Sequence, residues 1–208
     1  MSLDPLLLDV LACPIDKEPL LWFEDEEVLY NLICSHVVPE VVAEMGGTAV
    51  RTQVGHSIIK KVMAETGAVF GGEHSGHYYY RDNFRADSGI ITALVVLELM
   101  STSGLPLSEM LRPYERYADS GEINTEVASP AATVAAMAEA ERAAGASVDL
   151  LDGLTVERGD WWYNVRPSNT EPLLRLNVEA KTPERCAQHT AEVQEFIAAH
   201  AGTRAVHP

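Results

Sequence analysis

Basic residues are scarce: Lys and Arg number 15 against 31 Asp and Glu, giving a net charge of −16 over 208 residues. A field of that sign repels a nucleic-acid backbone and excludes nucleic acid as a natural partner. It also opposes anionic ligands at long range, so any phosphate site must be a local cluster of hydrogen-bond donors. Cysteine is equally sparse. Cys13, Cys34 and Cys186 lie far apart with no Cys-x-x-Cys spacing, which argues against a disulfide framework or a zinc site and for reduced thiols. No apolar run approaches the roughly 20 residues that span a bilayer, and the first residues lack the basic, apolar, small-residue order of a signal peptide. The expectation is a cytoplasmic chain with no membrane partner. What is present, 47% hydrophobic and 22% charged residues, suffices for a buried core.

Along the chain, Pro5 to Leu11 reads as a short helix after Asp4, Cys13 to Leu20 as a turn, and Glu24 to Glu27 as a solvated acidic patch. Val28 to Cys34 is a nearly unbroken apolar run, expected as a strand buried on both faces. Strand and helix patterns then alternate. A helix over Pro39 to Met45 stops at Gly46-Gly47, a strand runs from Ala49 to Gln53, and a helix from Ser57 to Thr66 stops at Gly67. A short strand over Ala68 to Gly71 leads into a Gly/His-rich loop, after which Asp87-Ser88 caps a long apolar helix from Gly89 to Met100. This alternation predicts βαβ units and a parallel sheet. Beyond Tyr117 the pattern changes: a strand (Ile123 to Val127), an Ala-rich helix (Pro130 to Ala144), a strand (Thr155 to Glu157), then a hairpin of Trp161 to Arg166 with Leu173 to Val178, and a closing helix from Pro183 to His200.

Three segments carry chemistry. Arg166-Pro167-Ser168-Asn169-Thr170-Glu171-Pro172 sets a planar guanidinium, two hydroxyls and an amide in a proline-stiffened hairpin loop, which is a phosphate clamp in outline. Gly71-Gly72-Glu73-His74-Ser75-Gly76-His77 lies at the C-terminal end of a strand, where open α/β sheets bind ligands. There Glu73 can accept from two sugar hydroxyls, Ser75 can donate or accept, and His77 titrates in the range useful for proton transfer. Val54-Gly55-His56-Ser57 opens a helix, with Ser57 expected as its N-cap and His56 at a terminus that favours anions; Lys60 and Lys61 are expected as solvated helix residues.

Together these segments resemble the alpha-D-phosphohexomutase superfamily, specifically bacterial phosphomannomutase/phosphoglucomutase. The resemblance covers roughly Asn31 to His200 and rests, in family order, on Val-Gly-His-Ser (54–57), Gly-Glu-His-Ser-Gly-His (72–77), Asp-Ser-Gly (87–89), Ser-Gly-Glu-Ile-Asn (120–124) and Arg-Pro-Ser-Asn-Thr-Glu-Pro (166–172). It implies that Glu73, Ser75 and His56 contact the sugar and that His77 is the candidate general acid/base. It implies further that Arg166, Ser168, Asn169 and Thr170 hold the phosphate that is not reacting. Where many members place a lysine contact, this sequence has Ile33, followed by Cys34-Ser35-His36. The implied fold is a truncated three-layer α/β mutase domain (31–118) followed by a small α+β domain (119–208) with a four-stranded antiparallel sheet and two helices.

The family transfers phosphate from a phosphoserine in a Thr-Ala-Ser-His-Asn-Pro type loop, with magnesium held by an Asp-Gly-Asp-x-Asp-Arg loop and a hexose 1,6-bisphosphate as activator. Neither loop occurs in this sequence, so no metal site is expected within it. Residues 1–30 resemble instead the start of small zinc-ribbon-like proteins related to methyltransferase activators, with Asp16 where zinc-binding members place a second cysteine. The leading expectation is therefore the C-terminal half of a phosphohexomutase that binds mannose or glucose 1- or 6-phosphate and is inactive alone. Two alternatives stand beside it: a non-catalytic phosphosugar-binding module or half of a split enzyme completed by another polypeptide, and a methyltransferase adaptor acting through residues 1–30.

Overall fold

The computed structural model describes residues 26–168 and 171–201; the expected helix and turn within residues 1–25 lie outside it. The chain divides between Glu115 and Arg116 into two compact units.

The first unit is built on β1 (Glu27–Asn31), flanked in parallel by β2 (Thr48–Thr52) and β3 (Phe70–Gly72). Two short antiparallel strands, β4 (Tyr78–Tyr80) and β5 (Ala86–Asp87), extend it into a mixed sheet of order β2-β1-β3-β4-β5. Helix α1 (Val37–Glu44) joins β1 to β2, and α2 (His56–Thr66) joins β2 to β3. The first crossover steps from β1 out to β2 and the second returns past β1 to β3, and right-handed connections in opposite directions put the two helices on opposite faces of the sheet. The run beginning at Val28 is buried through Cys34 except at the half-buried Tyr30, but the strand ends at Asn31. The Cys34 N–H turns back to the Asn31 carbonyl at 3.0 Å, and the Cys34 thiol donates to Asn31 Oδ1 at 3.1 Å.

Ile59 and Met63, one turn apart on α2, bury completely against Leu29, Ala68 and Tyr79. Close approach of this helix explains Gly71: a Cβ there would meet Ile59 Cδ1 at 3.1 Å. Ser57 does not cap α2 as the sequence suggested. The N-cap is Gly55, whose φ of 135° only glycine adopts readily and whose carbonyl accepts from Ile58 and Ile59. Helix α3 (Gly89–Ser103) is capped as expected, with Ser88 accepting from the Ile91 N–H at 3.2 Å. A short helix, α4 (Leu107–Leu111), follows it. Among the described residues no single helix is long and apolar enough to cross a membrane.

In the second unit, β10 (Trp161–Pro167) and β11 (Leu173–Ala180) form the expected hairpin. Strands β6 (Ala118–Asp119) and β7 (Ile123–Glu126) pair along β11, while β9 (Leu154–Glu157) and then β8 (Val148–Asp149) extend the sheet beyond β10. The two-residue strands β6 and β8 widen the expected four-stranded sheet to a 6-stranded one. Helices α5 (Pro130–Ala143) and α6 (Pro183–His200) cover one face. Side chains alternate along the hairpin, so Tyr163, Val165, Leu174, Leu176 and Val178 meet Met137, Val193 and Ile197 from the helices. The opposite face carries cross-strand pairs Trp162 with Glu179, Asn164 with Asn177, and Arg166 with Arg175.

The turn before β9 fixes where that last pair sits. Gly153 has a φ of +72°, and a Cβ on it would lie 2.4 Å from the Val165 carbonyl oxygen and 2.6 Å from Arg166 Cα. Gly153→Ala is therefore expected to cost about 2–3 kcal/mol or more, since backbone must move as well as adopt strain. Gly159→Ala, with φ of +81° but open space around it, should cost only about 1–2 kcal/mol. Urea denaturation of both variants checks the difference; equal losses would contradict the clash.

Candidate functional site

The loop between β3 and β4 is closed by its own backbone. The Glu73 N–H donates to the His77 carbonyl and the Gly76 N–H to the Glu73 carbonyl, each at 2.9 Å, and Gly76 takes the turn at φ of +83°. Ser75 stands exposed in the turn and His77 exposed at its exit. Glu73 points the other way and is only 6% exposed. Its Oε1 accepts from the Tyr79 hydroxyl at 2.6 Å, and its Oε2 from Asn31 Nδ2 at 3.3 Å and the Gly55 N–H at 3.2 Å. One carboxylate thus ties the ends of β1 and β3, the start of α2 and strand β4 together. Of roughly four acceptor positions on a carboxylate, protein donors take three, leaving about one for a ligand.

His56, exposed, follows Gly55 as the first residue of α2, so the Glu73 bond to Gly55 sets its place beside the loop. Asn31 Oδ1 also accepts from the His74 N–H at 3.4 Å. Burial, reinforced by the bond to Glu73, raises the Tyr79 phenol's pKa and keeps that hydroxyl protonated as a donor. His77 Nδ1 lies 2.7 Å from Asp87 Oδ2 on β5, and that hydrogen bond lifts the imidazole above its usual 6.5. Asp87 is lowered from 3.8, first by the Tyr78 N–H and then by His77. Both members of the pair are substantially exposed. The raised His77 favours the fold fully below its unfolded pKa and loses that support as pH rises through its folded one. Asp87 contributes above its unfolded pKa and loses its part as pH falls through the folded one. The pair is strongest in the mildly acidic window between.

The arginine hairpin lies in the second unit. Arg166 is 7% exposed and faces Arg175 directly across the ladder. Glu122, just before β7, bridges the two guanidiniums, with Oε2 at 3.0 Å from Arg166 Nη2 and Oε1 at 3.4 Å from Arg175 Nη1. Arg175 Nη2 reaches Ser168 Oγ at 3.5 Å, and the Ser168 N–H closes the hairpin on the Leu173 carbonyl at 2.9 Å. Burial pulls the Arg166 guanidinium's pKa below its usual value while Glu122 and Asp152 oppose this. Asn169 and Thr170 lie outside the described residues.

The structure thus groups Glu73, Ser75, His77 and His56 in one unit and Arg166 with Ser168 in the other. Sequence reasoning passed over Arg175, Tyr79 and Asn31, and it quoted Glu122 and Asp87 within motifs without seeing that they support Arg166 and His77. The signal for Arg175 was there: a lone cation in Leu173-Leu174-Arg175-Leu176, at the position a hairpin around 168–172 pairs with Arg166.

A mixed α/β unit with this loop at the strand ends, followed by an antiparallel unit presenting an arginine hairpin, is the class of the later phosphohexomutase domains. The family models agree in kind and order. Phosphoglucomutase/phosphomannomutase, alpha/beta/alpha domain III, matches residues 10–117, and the C-terminal domain of the same family matches residues 122–196. The chain belongs to the phosphoglucomutase/phosphomannomutase family.

It is 35% identical over 190 residues to a phosphomannomutase of Methanocaldococcus jannaschii, covering 91% of this chain and 42% of that protein. It is 43% identical over 142 residues to a phosphomannomutase of Salmonella montevideo, covering 68% of this chain and 31% of that protein. A crystal structure of a phosphoglucomutase/phosphomannomutase family protein from Burkholderia thailandensis superposes with a TM-score of 0.73 at 26% identity, over 85% of this chain and 38% of that one. The chain therefore spans less than half the length of these relatives. The domain III model begins at residue 10 and takes in most of the segment read above as zinc-ribbon-like; that second resemblance gains no support.

Among the described residues no group of three or more His, Cys, Asp or Glu converges to hold the magnesium that the family implies.

Removing one donor from Glu73 tests the description of its carboxylate. Tyr79→Phe keeps the ring and strips the 2.6 Å bond. It should lower stability by about 1.5–3 kcal/mol, the worth of a hydrogen bond to a charged group. Amide exchange in residues 73–77 should speed up with it. Unchanged stability and exchange would show that Glu73 is held by something else.

Proposed function

We propose that this chain supplies the sugar-reading loop and the phosphate clamp of a phosphohexomutase, taking hexose 1- and 6-phosphates and the 1,6-bisphosphate as ligands. The observation that carries the reading is the Arg166–Arg175 pair at the mouth of a hairpin, in a protein whose charge of −16 offers anions little elsewhere. Two like charges directly opposite each other on a sheet are unfavourable unless an anion relieves them. Glu122 offsets part of that repulsion, Asp152 also acts on Arg166, and Ser168 lies at the edge of the cluster. Guanidinium forks match the oxygens of a phosphate, and such charge-assisted bonds act locally against the overall charge of the protein.

Asn169 and Thr170 complete the clamp by resemblance to the family. In the first unit Ser75 and the remaining acceptor position of Glu73 read sugar hydroxyls, His56 provides a further contact, and His77 exchanges a proton at the reacting end. In this reading 1–30, 31–118 and 119–208 serve as leading segment, sugar-reading domain and clamp domain. Binding energy from the phosphate that does not react can then orient the end that does. The phosphoserine and the magnesium loop of the family do not occur within these 208 residues, so the transfer step draws on residues outside them. Magnesium, when bound there, would neutralise charge on the transferring phosphoryl group. The reaction belongs in the cytoplasm, where hexose phosphates occur.

Isothermal titration with glucose 6-phosphate and glucose 1,6-bisphosphate tests the reading. Arg166→Ala should weaken binding at least tenfold. Arg166→Lys should recover only part of it, because a point charge lacks the planar fork. Arg175→Ala should also weaken binding, with the affinity falling as salt rises. Binding unchanged in both alanine variants would remove the clamp.

A further inference from the structure

Asp87 divides its carboxylate between two tasks. Oδ1 accepts from the Tyr78 N–H at 2.8 Å, and the Ser88 N–H returns to the Tyr78 carbonyl at 3.0 Å, so β5 grips β4 on both sides of that residue. Oδ2 is left for His77 Nδ1, 2.7 Å away. An ionised aspartate can only accept, so Nδ1 must carry the hydrogen; in the neutral ring the lone pair then sits on Nε2. We infer that Asp87 is the positioning residue of His77, fixing the ring so that Nε2 is the atom offered as acceptor to a sugar hydroxyl.

The charged groups facing His77 are Asp87 from β5 and Glu73 from the loop, both negative, and both favour the imidazolium that forms when Nε2 takes a proton. Asp87 is held by backbone on one side and so does not follow a mobile ring; the ring follows it. The sequence had read Asp87-Ser88 as a helix cap within the Asp-Ser-Gly motif, and the structure gives the cap to Ser88 alone. The inference deepens the reading of His77 as the acid/base group at the sugar end, and it rests on that reading.

Asp87→Asn is the informative change. The amide oxygen can keep the Tyr78 N–H, but the amide nitrogen now donates where Oδ2 accepted, which reverses the polarity at Nδ1. Long-range proton–nitrogen NMR spectra of the histidine-labelled chain read the tautomer and titration of His77 directly. In the parent protein Nδ1–H should predominate. In Asp87→Asn the hydrogen should move to Nε2 and the titration midpoint should shift down, while Asp87→Glu should restore the Nδ1–H form at least in part. A ring merely released would also revert to the Nε2–H form that free histidine favours, so the return of Nδ1–H in Asp87→Glu is what separates positioning by the carboxylate from lost packing.

Should Asp87→Asn fail to fold, Asp87→Glu still tests the point, since a carboxylate displaced by one methylene should move the midpoint without reversing the tautomer. An unchanged tautomer and midpoint in the variants would overturn the positioning role. Adding glucose 1,6-bisphosphate to the parent protein should then shift the Nε2 resonance. Intact coupling to Asp87 with a silent Nε2 would overturn instead the sugar-end reading on which the inference rests.

Discussion

Two guanidiniums opposite each other on one hairpin, the buried Arg166 and the half-buried Arg175, set the terms for the second unit. Like charges in register cost stability, and the sheet meets that cost with Glu122, one oxygen to each. Several neighbouring features follow from keeping this arrangement in place. Gly153 lets the turn before β9 press against the backbone of Val165 and Arg166. Ser120 clamps β11 with its N–H to the Val178 carbonyl and its hydroxyl to the Val178 N–H, each at 2.9 Å, which brings Glu122 to the start of β7. Behind the sheet, Glu141 on α5 binds both Tyr163 and Arg158, tying helix to hairpin from the apolar side.

The first unit solves the opposite problem, a buried anion. Glu73 would be costly at 6% exposure without partners, and Tyr79, Asn31 and Gly55 supply three donors. The consequence is functional as well as structural: the carboxylate fixes the base of the Gly71–His77 loop and the entry to α2 at once. Ser75 and His77 stay exposed while the buried Glu73, with the loop's own backbone bonds, carries much of the anchoring. The exposed members are free to meet a ligand, and the buried one holds the frame.

Elements with strong local signals were legible in the sequence. Helix α6 runs Pro183–His200 as read, because Thr182 caps it and Pro183 fits its first turn. The hairpin was legible from apolar runs flanking a proline-bounded loop. The strands Tyr78–Tyr80 and Ala86–Asp87 were not, since three tyrosines show no alternation and pairing with β3 is a long-range choice. Ser57 was mistaken for a cap because hydroxyl preference is a local rule, whereas Gly55 is selected by its bond to Glu73, distant in sequence. The residues proposed for chemistry were named from motif order. Glu122 and Asp87 lay within the quoted motifs, but their pairings with Arg166 and His77, like the place of Arg175, depend on register rather than on residue type.

Family membership accounts for the order of these parts, but the physical claim at the centre is narrower: the Arg166–Arg175 hairpin takes a phosphate dianion. Amide chemical shifts of the 166–176 segment, followed during titration with glucose 6-phosphate and with glucose as an uncharged control, test it most directly. The account predicts saturable shifts at Arg166, Ser168 and Arg175 with the phosphate and none with glucose. Equal responses to both, or no saturable response to the phosphate, would contradict it.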